Sequence, residues 1–256
     1  MDPRVEWLTV SGDPDVWRSI GFVVTDDGHL PLHGTSLRIV HPGSLPGLLR
    51  TGDDAEISSS ATGIVGWALS GITEHSHPAS TVAPAGEASE PATDSRNDSH
   101  PGGSTGRATD GWFDIDGLPT EIVDARGPRY ADHEIGAVGL DHVVVMTSQL
   151  ERTSDAIAGV TGCELKRIRD LGEMRQGFHR IGRGGLIVEL VERPDIPDGP
   201  ASFWGLVVNV DDLDAACARL GADRVSPPKD AVQPGRRIAT VRSDVGLGLP
   251  VALMTP

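Results

Sequence analysis

Cysteine is nearly absent. Cys163 and Cys217 are the only two, so neither a disulfide framework nor a zinc site built from thiolates is available. Basic residues are also scarce: Lys+Arg total 22 against Asp+Glu 37, a net charge of −15 at neutral pH. A protein that tracks a phosphate backbone needs clustered positive charge, so nucleic acid is excluded as a partner. An anionic membrane surface is excluded for the same reason. No apolar run approaches the roughly 18 residues of a membrane span, and no basic-then-apolar segment opens the chain. The expectation is a soluble cytoplasmic protein with reduced thiols. The apolar fraction of 38%, with 32 glycines beside it, is that of a globular chain. Its length suits one large domain or two small ones.

Hydrophobic patterning fails in one long stretch. From Glu74 to Asp110 serine, threonine, proline, glycine and acidic residues dominate, and apart from one valine nothing large and apolar can be buried. Such a segment cannot offset the entropy of ordering, so residues 73–110 read as a disordered low-complexity insertion. Residues 111–135 read as a connecting segment.

Beyond it, Gly139 to Met146 (GLDHVVVM) is a strand pattern rich in β-branched residues. Thr147 or Ser148 is placed to cap a helix carrying Leu150, Ile157 and Val160, and Gly162 stops it. Three strand-like pieces follow, at Cys163 to Arg169, Gly177 to Ile181 and Gly185 to Val191. The order is βαβββ. It then repeats: Phe203 to Val210 is a strand, Asp211 or Asp212 caps a helix with Leu213, Ala216 and Leu220, and Gly221 ends it. Val225, Arg237 to Val241 and Pro250 to Met254 complete the copy. A shift of 63 positions lays Leu150 on Leu213 and Val188-Glu189-Leu190 on Val251-Ala252-Leu253. An internal repeat with the element order kept is the most informative feature of the chain. The first 72 residues form a weaker third copy. Val5 to Val10 opens it, Asp13-Pro14-Asp15 starts a short helix through Ile20, and Phe22 to Thr25, Leu37 to Val40 and Ile64 to Leu69 supply strands. Trp7, Trp17 and Trp67 are expected in its core. The fold class is α+β, built from repeated βαβββ modules.

With Gly139-Leu140-Asp141-His142-Val143-Val144 opening a module, Gly185-Leu186-Ile187-Val188-Glu189-Leu190 closing it, and Val210-Asp211-Asp212-Leu213-Asp214 in the second copy, the chain resembles the vicinal oxygen chelate superfamily. That group holds glyoxalases, bleomycin-resistance proteins and extradiol dioxygenases. The resemblance implies that residues 136–256 form one glyoxalase-like domain of two modules around a cleft, and that residues 1–72 are a half domain. It also implies a divalent metal (Zn, Ni, Mn or Fe) held by His or Glu on the first and last strands of each module. The matching positions are His142 and Glu189 in the middle module, Gly205 and Ala252 in the last, and Trp7 opposite His142 in the first. With only two of the usual ligands retained, His142 and Glu189, the metal is expected to be weakly held.

The residues themselves carry a parallel reading. A carboxylate inside an apolar strand is costly unless it is paired or coordinates a cation. Glu189 and His142 are therefore a metal-ligand pair or a general acid/base set, with Glu189 moving the proton; the alternative is that they hydrogen-bond one another or that Glu189 pairs with an arginine. Trp204, Gln233, Arg236, Arg237 and Arg180 are candidates for lining a cleft, since the planar fork of arginine suits carboxylate or phosphate; the alternative for the arginines is a surface salt bridge in an acidic protein. Gly205 would leave room there. His179 is expected to be exposed. Three functions stay open: a metal-assisted lyase, isomerase or dioxygenase acting on a small, partly anionic molecule; a metal-free sequestering module of the drug-binding, resistance type; and a non-catalytic structural or regulatory protein. A homodimer is expected if the N-terminal module needs a second copy to cover its apolar sheet face.

Overall fold

The computed structural model describes residues 2–44, 62–72, 112–127 and 129–256; the insertion expected at 73–110 lies outside them. The N-terminal part runs β1 (Arg4–Ser11), α1 (Pro14–Ser19), β2 (His29–Leu30), β3 (Ser36–Val40), β4 (Gly63–Ser70), β5 (Trp112–Ile115) and β6 (Leu118–Ile122). The C-terminal part runs β7 (Ala137–Thr147), α2 (Leu150–Thr161), β8 (Arg167–Asp170), β9 (Arg175–Arg180), β10 (Ile187–Glu192), β11 (Ser202–Val210), α3 (Leu213–Leu220), β12 (Lys229–Asp230), β13 (Arg237–Thr240) and β14 (Val251–Met254). The class is α+β, and the βαβββ order occurs twice in the second part.

Sheet order shows how the modules join. The eight-stranded sheet reads β12-β13-β14-β11-β7-β10-β9-β8. In each module the last strand lies parallel to the first, β10 to β7 and β14 to β11, and the two first strands meet antiparallel. Strand alternation then sorts the side chains. Val143, Val145, Val188, Leu190, Leu206, Val208 and Leu253 fall on one face and are fully or almost fully buried. Leu150, Ile157 and Val160 of α2 and Leu213, Ala216 and Leu220 of α3 belong to the same apolar core. Each such side chain contributes roughly 1.5–3 kcal/mol relative to exposure. The opposite face is left for other uses.

The described six-stranded sheet reads β2-β3-β1-β4-β6-β5. Residues 64–69, expected as the closing strand of the N-terminal module, run antiparallel to β1 instead, with β6 parallel to β4. This is the arrangement of β7 and β11, so β4 stands where a second module would begin. Residues 112–122, expected as connection, supply two strands because Trp112, Phe113, Ile115 and Leu118 are apolar residues set around an Asp-Gly turn. Asp116 and Gly117 both have positive φ there, 52° and 94°, and a Cβ on Gly117 would stand 2.3 Å from the Ala201 carbonyl oxygen. Phe22 to Thr25 is not a strand; β2 lies a few residues later. Trp17 and Trp67 are in the core as expected, whereas Trp7, although buried, is not part of the core cluster.

The two sheets pack within the chain. The rings of Trp67 and Phe203 meet edge to face at 5.6 Å, Ala201 N–H donates to Asp116 O (2.7 Å), and His33 N–H to Val138 O (2.9 Å). A second copy is therefore not required to cover the N-terminal sheet.

Helix starts follow local chemistry with one exception. Asp13 accepts from Asp15 N–H and Asp212 from Ala215 N–H, both as N-caps. At α2 the expected Thr147 or Ser148 cap is displaced: Gln149 occupies the cap without a side-chain bond, and the Glu192 carboxylate on β10 accepts from Leu150 N–H at 2.8 Å. A negative charge there also suits the helix dipole. Glu192→Ala is expected to cost about 1–2 kcal/mol, the usual worth of a cap. Urea unfolding reads this directly, and an unchanged midpoint would contradict the assignment.

Candidate functional site

Cross-strand register arranges the uncovered face of the eight-stranded sheet in rows. One row runs Arg180, Ile187, His142, Val207, Ala252, Thr240; the next runs Arg167, Phe178, Glu189, Val144, Gly205. His142 and Glu189 are thus diagonal neighbours on adjacent strands. Their side chains are 14% and 13% exposed, and His142 Nε2 lies 3.3 Å from Glu189 Oε2. Gln176 donates to the other oxygen of Glu189 at 2.6 Å. Burial pushes the Glu189 carboxyl up, with Asp141 adding to that and His142 and Arg169 opposing it.

Asp141 was not legible as a member of this group, because alternation would turn it away from its neighbour His142. The pairing with β11 slips here: Val207 faces His142 but Val208 faces Leu140, so Asp141 is the extra residue of a β-bulge. The bulge brings both side chains together, with Asp141 Oδ2 2.8 Å from His142 Nδ1. Arg236 closes the network from the other module, donating to Asp141 (2.8 Å), to Asn209 Oδ1 (2.6 Å) and to the Thr255 carbonyl (2.7 Å). Burial alone would raise the Asp141 pKa, but the hydrogen bonds and positive charge of His142 and Arg236 outweigh it and hold the group at about 2.

The other candidates divide. Gln233 and Arg180 border a cavity of about 560 Å³, together with Lys166, Arg167, Arg169 and Phe178. In a chain of net charge −15 this is a local concentration of cations, and the Arg167 guanidinium sits 5.3 Å above the Phe178 ring. Arg180 also borders a second cavity of about 440 Å³ that reaches Asp141, Asn209 and the N-terminal residues Arg4 and His33. Arg237 points away from Arg236 and pairs with Asp214 of α3 at 2.7 Å on the surface. Trp204 is 50% exposed at a second bulge. Gly205 does not make room for a ligand: a Cβ there would stand 2.6 Å from the Pro250 carbonyl, so glycine permits the close approach of β14. His179 is 1% exposed rather than solvated. Alternation does set it opposite Phe178 and Arg180, but that side is the one covered by α2, where its nitrogens meet Ser154 Oγ (3.0 Å) and Cys163 O (2.9 Å).

A resident metal does not fit this donor set well. Among the described residues no three His, Cys, Asp or Glu side chains are placed to hold an ion. His142 and Glu189 give two ligands, where catalytic zinc sites keep three. Asp141 is committed to His142 and Arg236, and the module-two positions carry Gly205 and Ala252.

Residues 139–244 match the family model of the Glyoxalase/Bleomycin resistance protein/Dioxygenase superfamily. The match makes residues 139–244 similar to a domain of that superfamily. Among solved structures, a triple mutant of 4-hydroxymandelate synthase from Streptomyces coelicolor aligns over 100% of this chain and 93% of its own, at 14% identity and a TM-score of 0.55. Methylmalonyl-CoA epimerase from Mycobacterium tuberculosis aligns over 47% of this chain and 89% of its own, at 19% identity and a TM-score of 0.40. The first likeness is one of fold and extends over both sheets. No curated protein matches. No helix among the described residues is long and apolar enough to cross a membrane.

The Asp141 network makes stability depend on acid. Its folded pKa of about 2 lies below the ordinary 3.8, so in between the unfolded chain binds more protons. The contribution is complete above 3.8 and is lost as pH falls toward 2; the shift corresponds to about 2 kcal/mol. Asp141→Asn should be less stable than wild type near pH 6 and lose less on acidification, as read from urea midpoints at about pH 6 and about pH 2.5. Parallel losses in the two proteins would refute the network's role.

Proposed function

We propose that the uncovered face of the C-terminal sheet binds a small organic anion and that Glu189 moves a proton on it. The observation that carries this reading is the placement of Glu189. It is a largely buried carboxylate with a raised pKa, hydrogen-bonded to Gln176 and in contact with His142, and its sheet neighbours Phe178 and Ile187 line a cavity edged by Lys166, Arg167, Arg169 and Arg180. A base whose pKa is raised toward the working pH is suited to taking a proton from carbon. The guanidinium groups hold the anionic part of the ligand. As Glu189 removes a proton from the carbon next to a carbonyl, negative charge moves to the carbonyl oxygen, and the proton returns from Glu189 to the same or a neighbouring carbon. His142, fixed through Nδ1 by Asp141, keeps the Glu189 carboxylate in one orientation. The reaction class is isomerisation or a related proton transfer.

The second reading, a metal-free sequestering module, is supported by the second module: Val207 and Ala252 stand in the His142 row with no chemical function. The two separate by deuterium exchange. Small carboxylic acids with an acidic C–H are screened by thermal shift, and those that bind are followed by proton NMR in D₂O. Wild type should exchange the C–H of a bound acid, and Glu189→Gln should bind it while slowing exchange by at least about 100-fold, the lower range for a general base. Binding without exchange by wild type would leave the sequestering reading.

A further inference from the structure

Register sets the arginines beside Glu189 in a line. Glu189 pairs with Phe178 and Phe178 with Arg167, so these three form one row across β10, β9 and β8. Arg169 pairs with Gln176 in the row to one side, and Arg180 pairs with Ile187 in the row to the other. Period-two alternation keeps Gln176, Phe178 and Arg180 on one face of β9, and Arg167 and Arg169 on the same face of β8. Strand rise and strand spacing then put the Cα atoms of Arg169 and Arg180 about 14 Å apart, with the Glu189 row midway between them.

All three arginines border the one cavity of about 560 Å³. None of them is spent on a carboxylate. Among the described residues Arg152, Arg175, Arg236 and Arg237 are ion-paired, whereas Arg167, Arg169 and Arg180 form no salt bridge. Arg167 lies 5.3 Å above the Phe178 ring, and Arg180 gives one nitrogen to the Gly185 carbonyl at 3.1 Å. The Arg169 fork and most of the Arg180 fork are left for an acceptor. Between these two ends the cavity wall is apolar. Phe178 and Ile187 come from the first module, and Val232 and Pro234 from the turn between β12 and β13 in the second. Val232 is 71% exposed, so its apolar surface is there to be covered.

This layout defines what fits. Arg167 and Phe178 fill the row between Arg169 and Arg180, which keeps the two forks apart as separate seats for anions. A monoanion would leave one seat empty, while a dianion with an apolar spacer satisfies both with charge-assisted bonds. Glu189 stands in the middle row and so faces the spacer, not either end. The C–H it acts on is therefore inside the chain, and an interior ketone is the group that makes such a C–H acidic.

We propose that the substrate of this site is an elongated dicarboxylate with an interior carbonyl, its ends held by Arg169 and Arg180 and its body laid along Phe178, Ile187 and Val232. Glu189 takes a proton from the carbon beside the ketone, the C–H electron pair passes to the ketone oxygen as an enolate, and the proton returns to carbon from Glu189. The place of the carbonyl rests on the reading of Glu189 as a base; the two anionic seats do not.

The probe is 4-oxoheptanedioate. Levulinate, which keeps the ketone and loses one carboxylate, and heptanedioate, which keeps both carboxylates and loses the ketone, are the comparisons. Calorimetric titration of the full-length protein should show 4-oxoheptanedioate binding at least about tenfold more tightly than levulinate, the worth of one added hydrogen bond to a charged group. Heptanedioate should share the advantage. Arg169→Gln and Arg180→Gln should each remove it, and Glu189→Gln should keep it. In D₂O, wild type should exchange the protons flanking the ketone of 4-oxoheptanedioate, and Glu189→Gln should lose that exchange. Levulinate binding as tightly as the diacids, or an undiminished preference in folded Arg169→Gln or Arg180→Gln, would overturn the proposal. Diacid preference without exchange would keep the two anionic seats and overturn the interior carbonyl together with the Glu189 base. Exchange without diacid preference would keep Glu189 as the base and overturn the dicarboxylate.

Discussion

The bulge at Asp141 is the constraint on which the C-terminal site depends. A regular β7 would send Asp141 to the helix-covered side, where a carboxylate would meet only Val143-type neighbours. The extra residue keeps it beside His142, and the resulting Arg236–Asp141–His142–Glu189 chain runs across both modules. A buried ion pair is not in itself a source of stability, because desolvation offsets much of the attraction. Here its use is positional. Arg236 precedes β13, Asp141 is on β7 and Asn209 on β11, so one guanidinium fixes the geometry between two units that otherwise meet through apolar packing and a backbone ladder.

The same scaffold serves two polarities. Each sheet keeps an apolar face for the shared core and turns its other face to polar residues. On the eight-stranded sheet that face carries a carboxylate among cations; on the six-stranded sheet Arg38 of β3 holds the corresponding place, opposite Thr9 as Glu189 is opposite Val144. Backbone pairing is preserved while side-chain chemistry changes, as expected when function is set by the site and not by the fold.

How far the sequence foretold this can be traced residue by residue. The βαβββ order, the helix ends at Gly162 and Gly221, and the facing of His142 and Glu189 follow from period-two and period-3.6 patterning, which is local. Asp141 was hidden because bulges leave no mark on hydrophobic alternation. Glu192 as the cap of α2 was hidden because it arrives from a strand more than a helix length away in sequence. His179 was misplaced because alternation gives the face but not what covers it. The role of β4 escaped for a related reason: strand pairing is set by long-range contacts, and an isolated strand pattern does not say which module it opens or closes.

The coupling between Asp141 and Arg236 tests the central claim most directly. A double-mutant cycle with Asp141→Asn and Arg236→Gln, read by urea unfolding near neutral pH, isolates it. If the pair organises the two modules, the effects are strongly non-additive, with an interaction energy of about 1–3 kcal/mol and the double variant more stable than the sum of the singles implies. Additive losses would contradict it, and would leave His142 and Glu189 as neighbours held in place by the sheet alone.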